Sequence, residues 1–165
     1  MIKLTEEGEA KAIKVLEHCA KPTGFYASGL PGGYEATWAR DSMVCSLGAS
    51  LVGETRFRPP FRKSLELLSE HQSDLGQIPN AVGSYNTDRR SDVTFNSIDS
   101  SLWYLIGHHV YAKAYSDAAL LEKFKSNIEK ALLWLQYQDP NEDKLLTQQP
   151  TMDWQDAFPH KYGHV

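Results

Sequence analysis

Apolar residues recur at spacings of three and four along most of the chain, and the pattern predicts five helices. Thr5–Cys19 carries Ala10, Ile13 and Leu16 on one face, continued by Ala20. Thr5 is placed to cap it, and Glu6 and Glu7 suit its first turn. Arg40–Val52 is different: Met43, Val44, Leu47, Ala49, Leu51 and Val52 surround it almost completely, the mark of a buried helix. A third helix, opened by Pro59 and Pro60 and ending near His71, returns to a single stripe through Phe57, Phe61, Leu65 and Leu68. Ile98–Tyr115 is again apolar on more than one face. Ala118–Tyr137 again has one stripe, and Asp139-Pro140 ends it. One-sided and all-round helices therefore alternate, as outer and inner helices would in a toroid of helical hairpins. The fold class is all-α, and no strand ladder is evident.

Between the helices lie two long connections. Lys21–Tyr34 is rich in Gly and Pro and forms a loop, with a short extended piece at Gly24–Ser28. Ser73–Asp92 is a polar loop without periodicity, and loops of that length in compact domains are usually functional. The tail Asn141–Val165 is polar and aromatic and completes no element.

Three loop-to-helix junctions concentrate acidic and aromatic residues: YEATWARD ending at Asp41, FNSIDSSLWY around Asp99, and MDWQDAF with Asp153 and Asp156. Asp99 stands 58 positions after Asp41, and Asp156 stands 57 after Asp99, one helical hairpin per step. If these junctions open the inner helices, all three sets face one end of the toroid. Carboxylates at helix N-termini serve as caps in the plainest reading. Capping does not explain why Trp38, Trp103, Tyr104 and Trp154 accompany them. Flat aromatic surface beside hydrogen-bonding groups suits a sugar ring, which has C–H faces and a hydroxyl rim.

Composition narrows the partners. The 165 residues carry a net charge of −4 with no Lys/Arg block, which argues against nucleic acid. Apolar residues are 41% of the chain, enough for a packed core. Cys19 and Cys45 fit small buried hydrophobes rather than a disulfide framework. The polar start MIKLTEEGEA is no signal segment, and no apolar run is long enough for a membrane span. The chain reads as a soluble cytoplasmic protein without metal or cofactor. His108 and His109 are adjacent and point to different sides, where a metal prefers an i, i+4 pair. Gly29, Gly32 and Gly33 lack the spacing and the Lys-Ser/Thr of a phosphate loop. Glu122, Glu129 and Glu142 read as solvated, Glu35 could approach the site, and His160, Lys161 and His164 form a short basic cluster that could reach a hydroxyl.

The blocks YEATWARDSMVCSLGASLVG, SDLGQIPN, NSIDSSLWYLIGHHVYAKAYSD and DWQDAFPHKYGHV resemble, in order, those of the six-hairpin glycosidases. The nearest groups are glucoamylases, the amylo-α-1,6-glucosidase part of glycogen-debranching enzymes, and neutral invertases. The resemblance implies an (α/α)6 barrel with the sugar at the inner-helix N-termini. It implies that Arg40 and Asp41 bind sugar hydroxyls, that Asp99 is the general acid, and that Trp154 and Asp156 line the substrate. Trp38 and Trp103 are the aromatic candidates beside them. Inverting cleavage needs a second carboxylate roughly 6.5–9.5 Å from the acid to activate water. In the family that base is a Glu far downstream, and no segment of this chain matches it.

A closed six-hairpin barrel at this period needs roughly 340 residues. The expectation is therefore a single domain over residues 1–165 that is an incomplete barrel of about two and a half hairpins. Inner-helix apolar surface would then be exposed and favour self-association. Three functions remain in view: the N-terminal part of an inverting hydrolase of an α-linked glucan or oligosaccharide, a non-catalytic carbohydrate-binding half-barrel, and a sugar epimerase. The last would want a His acid–base pair, for which only the adjacent His108 and His109 offer themselves.

Overall fold

A computed structural model describes residues 2–30, 34–83, 91–148 and 152. Helices dominate it: α1 (Ile2–Cys19), α2 (Ala39–Val52), α3 (Arg58–Glu70), α4 (Asp99–Tyr115), α5 (Ala119–Lys123) and α6 (Lys125–Gln136). Five strands of two residues each join them: β1 (Ala20–Lys21), β2 (Gly24–Phe25), β3 (Thr37–Trp38), β4 (Ala81–Val82) and β5 (Val93–Thr94). The chain is thus all-α in class.

Three expectations are corrected. Thr5 does not cap α1, because the helix already runs through it from Ile2. The helix expected over 118–137 is two, broken at Phe124, whose φ of −108° and ψ of 21° leave the helical region. Small strand ladders do exist: β1 pairs with β2, and β3, β4 and β5 form an antiparallel three-stranded sheet. Their register, Thr37↔Val82, Trp38↔Ala81 and Ala81↔Thr94, is too short for alternation to show in the sequence.

Helices α2 and α4 pack against each other at the centre, and α3 covers both. Met43, Phe61, Leu65, Leu68, Tyr104 and Tyr111 are fully buried between them, each large side chain contributing about 1.5–3 kcal/mol by leaving water. Gly107 allows the close approach. A methyl there would collide with Met43 Sδ and press on Leu65 Cδ2 at 3.1 Å. Serine hydroxyls stitch β2 into the same core: Phe25 N donates to Ser64 Oγ at 2.8 Å, and Ser42 Oγ donates to Phe25 O at 2.5 Å. Gly24, with φ +136°, is required because Ser64 lies where its Cβ would be. On the outer side, Glu66 of α3 accepts from Arg62, Lys63 and Lys123, tying α3 to α5 and holding its carboxyl down at about 2 despite burial.

The all-round apolar character of α2 and α4 divides into two parts. One face makes this core; from the other, Val44, Leu51, Leu102 and Ile106 are exposed, Leu51 by 88%. The adjacent histidines separate as expected, His109 exposed and His108 buried. His108 stands edge-on to Tyr104 at 4.6 Å, and neither ring nitrogen has a hydrogen-bond partner. Cys19 is buried and Cys45 half-buried, both as free thiols.

Two predictions follow from this packing. Gly107→Ala gains about 1 kcal/mol of helix propensity but overpacks the α2–α4 contact at about 1–3 kcal/mol, so urea unfolding should show a net loss; a stabilised variant would refute the close contact. Burial pulls His108 from 6.5 to about 4. The unfolded state therefore takes up the proton first, and stability should fall as pH drops from 6.5 toward 4. His108→Leu should flatten the upper part of that decline in thermal melts, above the range in which carboxylates contribute. An unchanged slope would assign the decline to other groups.

Candidate functional site

The site forms where α2 and α4 begin. The residues at the cap positions, Trp38 and Ile98, cannot cap through their side chains, so the first amides find backbone partners instead. Ala39 N donates to Asn80 O at 2.9 Å, and Ile98 N donates to Met152 O at 3.0 Å. Asn80 is the knot of the junction: its N donates to Thr94 O at 2.8 Å and its Oδ1 accepts from Asn96 N at 3.0 Å. Ile78 N donates to Ser101 Oγ at 3.2 Å, pinning the same loop to the first turn of α4. The polar loop expected over Ser73–Asp92 is thus, in its described part, the brace that fixes both helix starts.

Those braces bring Arg40, Asp41 and Asp99 together. Arg40 Nη1 donates to Asp99 Oδ2 at 3.0 Å, and Arg40 Nη2 lies 3.7 Å from Asp41 Oδ2. Ser97 Oγ donates to the other oxygen, Asp99 Oδ1, through a short hydrogen bond. Each oxygen of Asp99 thus accepts one hydrogen bond and keeps a further lone pair, so the carboxyl is oriented from both sides. Burial pushes the Asp41 carboxyl up, the Arg40 guanidinium pulls it partly back, and the Asp99 charge adds to the rise. A narrow crevice, too tight to admit a water molecule, runs here, lined by Trp38, Arg40, Asp41, Asn80, Ser97 and Ser100.

The aromatic candidates separate. Trp38 lines the crevice but is only 7% exposed, with Tyr34 edge-on to it at 5.4 Å. Trp103, one turn beyond Asp99, is half-buried and packs on the main core. Tyr104 is a core residue, fully buried and hydrogen-bonded to Ser69 Oγ at 2.7 Å. Trp154 and Asp156 lie outside the described residues, as do Asp153, His160, Lys161 and His164. Met152, just before that block, bonds to the residue preceding Asp99 and packs with Ile98, Trp134 and Leu135. Glu35, Glu122, Glu129 and Glu142 are exposed. Among the described residues, no group of three or more His, Cys, Asp or Glu side chains could hold a metal ion. Asn80, Ser97 and Ser100 were given no role by the sequence reading, although the blocks SDLGQIPN and NSIDSS contain all three.

Sequence comparison gives this arrangement its class: the chain is glycosidase-related. The family model described as amylo-alpha-1,6-glucosidase matches residues 14–157, and the chain belongs to that family. No curated protein and no solved structure matches it.

Arg40→Ala should raise the Asp41 carboxyl further above the ordinary carboxylate range, because the variant removes a stabilising cation and leaves burial in place. Carbon NMR of the labelled aspartates across pH measures this directly. A downward movement in the variant would show that the guanidinium does not serve Asp41.

Proposed function

We propose that this chain forms the sugar-binding half of the active site of a cytoplasmic glycoside hydrolase that inverts an α-linked glucan or oligosaccharide. One observation carries the reading: a single guanidinium gathers the carboxylates that open both central helices, 58 positions apart in sequence. In this reading Arg40 and Asp41 hold hydroxyls of the sugar, Asp99 is the general acid, and Trp38 and Trp103 border the ring, with Trp154 and Asp156 completing the lining. A sugar hydroxyl takes Arg40 as its donor, and Asp99, freed from that ion pair, takes up a proton from solvent and delivers it to the leaving oxygen. The architecture is part of one (α/α)6 domain, whose further hairpins would cover Val44, Leu51, Leu102 and Ile106. The same exposed residues favour self-association of the chain by itself. Two free thiols, one buried and one half-buried, suit a reducing compartment.

An inverting pair must stand on opposite faces of the ring. Asp41 shares its guanidinium with Asp99, and in this reading both are already assigned, Asp41 to the sugar hydroxyls and Asp99 to the acid. This favours binding without turnover as the second reading for the chain on its own. An epimerase is disfavoured, since His108 is sealed in the core away from the crevice.

The test is calorimetric titration with isomaltose and maltotriose, followed by an assay for released reducing ends. Arg40→Ala should weaken binding at least tenfold, about 1.4 kcal/mol, while Asp99→Asn should stay within threefold of the native chain. No sustained hydrolysis is expected. Equal binding by Arg40→Ala would overturn the site, and turnover abolished by Asp99→Asn would place the base within these 165 residues.

A further inference from the structure

A second cleft lies at the far end of the β3–β4 pair from the carboxylates. It encloses about 390 Å³ and is lined by Lys21, Tyr26, Ser28, Leu30 and Glu35, with Gly29 and Gly83 supplying backbone. That volume falls in the range of small-ligand sites, about 300–1,000 Å³, whereas the crevice at Arg40 is much tighter.

Its walls are fixed by packing. Gly29 lies so close to His18 of α1 that a Cβ would collide with the His18 side chain. Gly83 has φ +136° and would meet Ala36 at 3.1 Å, so neither position accepts a side chain without movement. Tyr26 is anchored at both ends: its N donates to Cys19 O at 2.9 Å and its hydroxyl accepts from Thr23 Oγ1 at 3.1 Å. The lining thus combines a held aromatic ring with an ammonium, a carboxylate and a hydroxyl. That is the pairing of apolar face and hydrogen-bonding rim that a pyranose requires.

The cleft and the crevice share one segment of chain. Glu35 of the cleft precedes Trp38 of the crevice by three residues, which span at most about 10 Å. Tyr34, 60% exposed, stands edge-on to Trp38. A separation of this size is one that an oligosaccharide can bridge and a monosaccharide cannot.

We propose that the cleft of Lys21, Tyr26, Ser28 and Glu35 is an accessory subsite for a further sugar unit of an α-linked oligosaccharide whose end lies at Arg40 and Asp41. The proposal rests on the glucan reading above for its ligand class, and makes chain length the determinant of affinity.

Maltose and maltotetraose titrated into the isotope-labelled full chain, read by amide chemical shifts, test it. Maltotetraose should bind at least fivefold tighter than maltose and shift Lys21, Tyr26, Ser28 and Gly83 together with Trp38 and Asp41. Tyr26→Ala should remove the length dependence, and Lys21→Gln, at a half-buried position, and Glu35→Gln, at an exposed one, should reduce it. Shifts confined to Trp38–Asp41 and Ser97–Asp99, or length dependence unchanged in all three variants, would overturn the subsite and leave the proposed function standing. Shifts at the cleft alone would support the subsite and refute the placement of the sugar at Arg40. Silence at both places would refute both.

Discussion

The guanidinium of Arg40 is the constraint on which the site depends. Among the described residues it is the cation that touches both Asp41 and Asp99, and it is only 28% exposed. Two carboxylates drawn together at partly buried helix starts repel each other and lose hydration; a shared cation offsets both effects. The helix N-termini add their own positive end. The junction is stable as a set of charges rather than as separate pairs, so a change in any member alters the environment of the others.

That charge cluster can exist only because backbone geometry brings the two helix starts together first. Asn80 supplies an acceptor to α2, a donor to β5 and a side-chain acceptor to the approach to α4. Ser101 holds Ile78 from the other side. These are short-range polar contacts with little apolar content, yet they set the distance at which Arg40 meets Asp99. The core beneath them, closed over Gly107 and Met43, keeps α2 and α4 parallel enough for both starts to face one way.

Much of this was legible in the sequence. Periodicity located α2, α3 and α4 within a residue or two, because each buries a stripe long enough to repeat. The repeated interval from Asp41 through Asp99 to Asp156 pointed to a shared end; the first two meet at Arg40, and Asp156 lies outside the described residues. What escaped was everything without periodicity. Two-residue strands carry no alternation, the break at Phe124 hides inside a continuous stripe, and the role of Asn80 lies in backbone atoms. Tyr104 looked like sugar-facing aromatic surface because composition cannot tell which side of a helix faces its neighbour. The amylo-alpha-1,6-glucosidase family match over residues 14–157 and the motif resemblance agree.

The occupied state of Asp99 bears on how such a site would turn from binding to chemistry. With Arg40 on one oxygen and Ser97 on the other, the carboxylate is held in place, each oxygen keeping a further lone pair. Sugar hydroxyls are ligands that can replace one of these contacts, because they both donate and accept. In the proposed reading, a hydroxyl accepting from Arg40 would loosen the grip on Asp99 while drawing the guanidinium toward Asp41, whose weaker contact at 3.7 Å has room to shorten. Binding at one carboxylate would thereby be coupled to release at the other, and because the crevice leaves no room for a water molecule, the sugar would have to part its walls to set the exchange going.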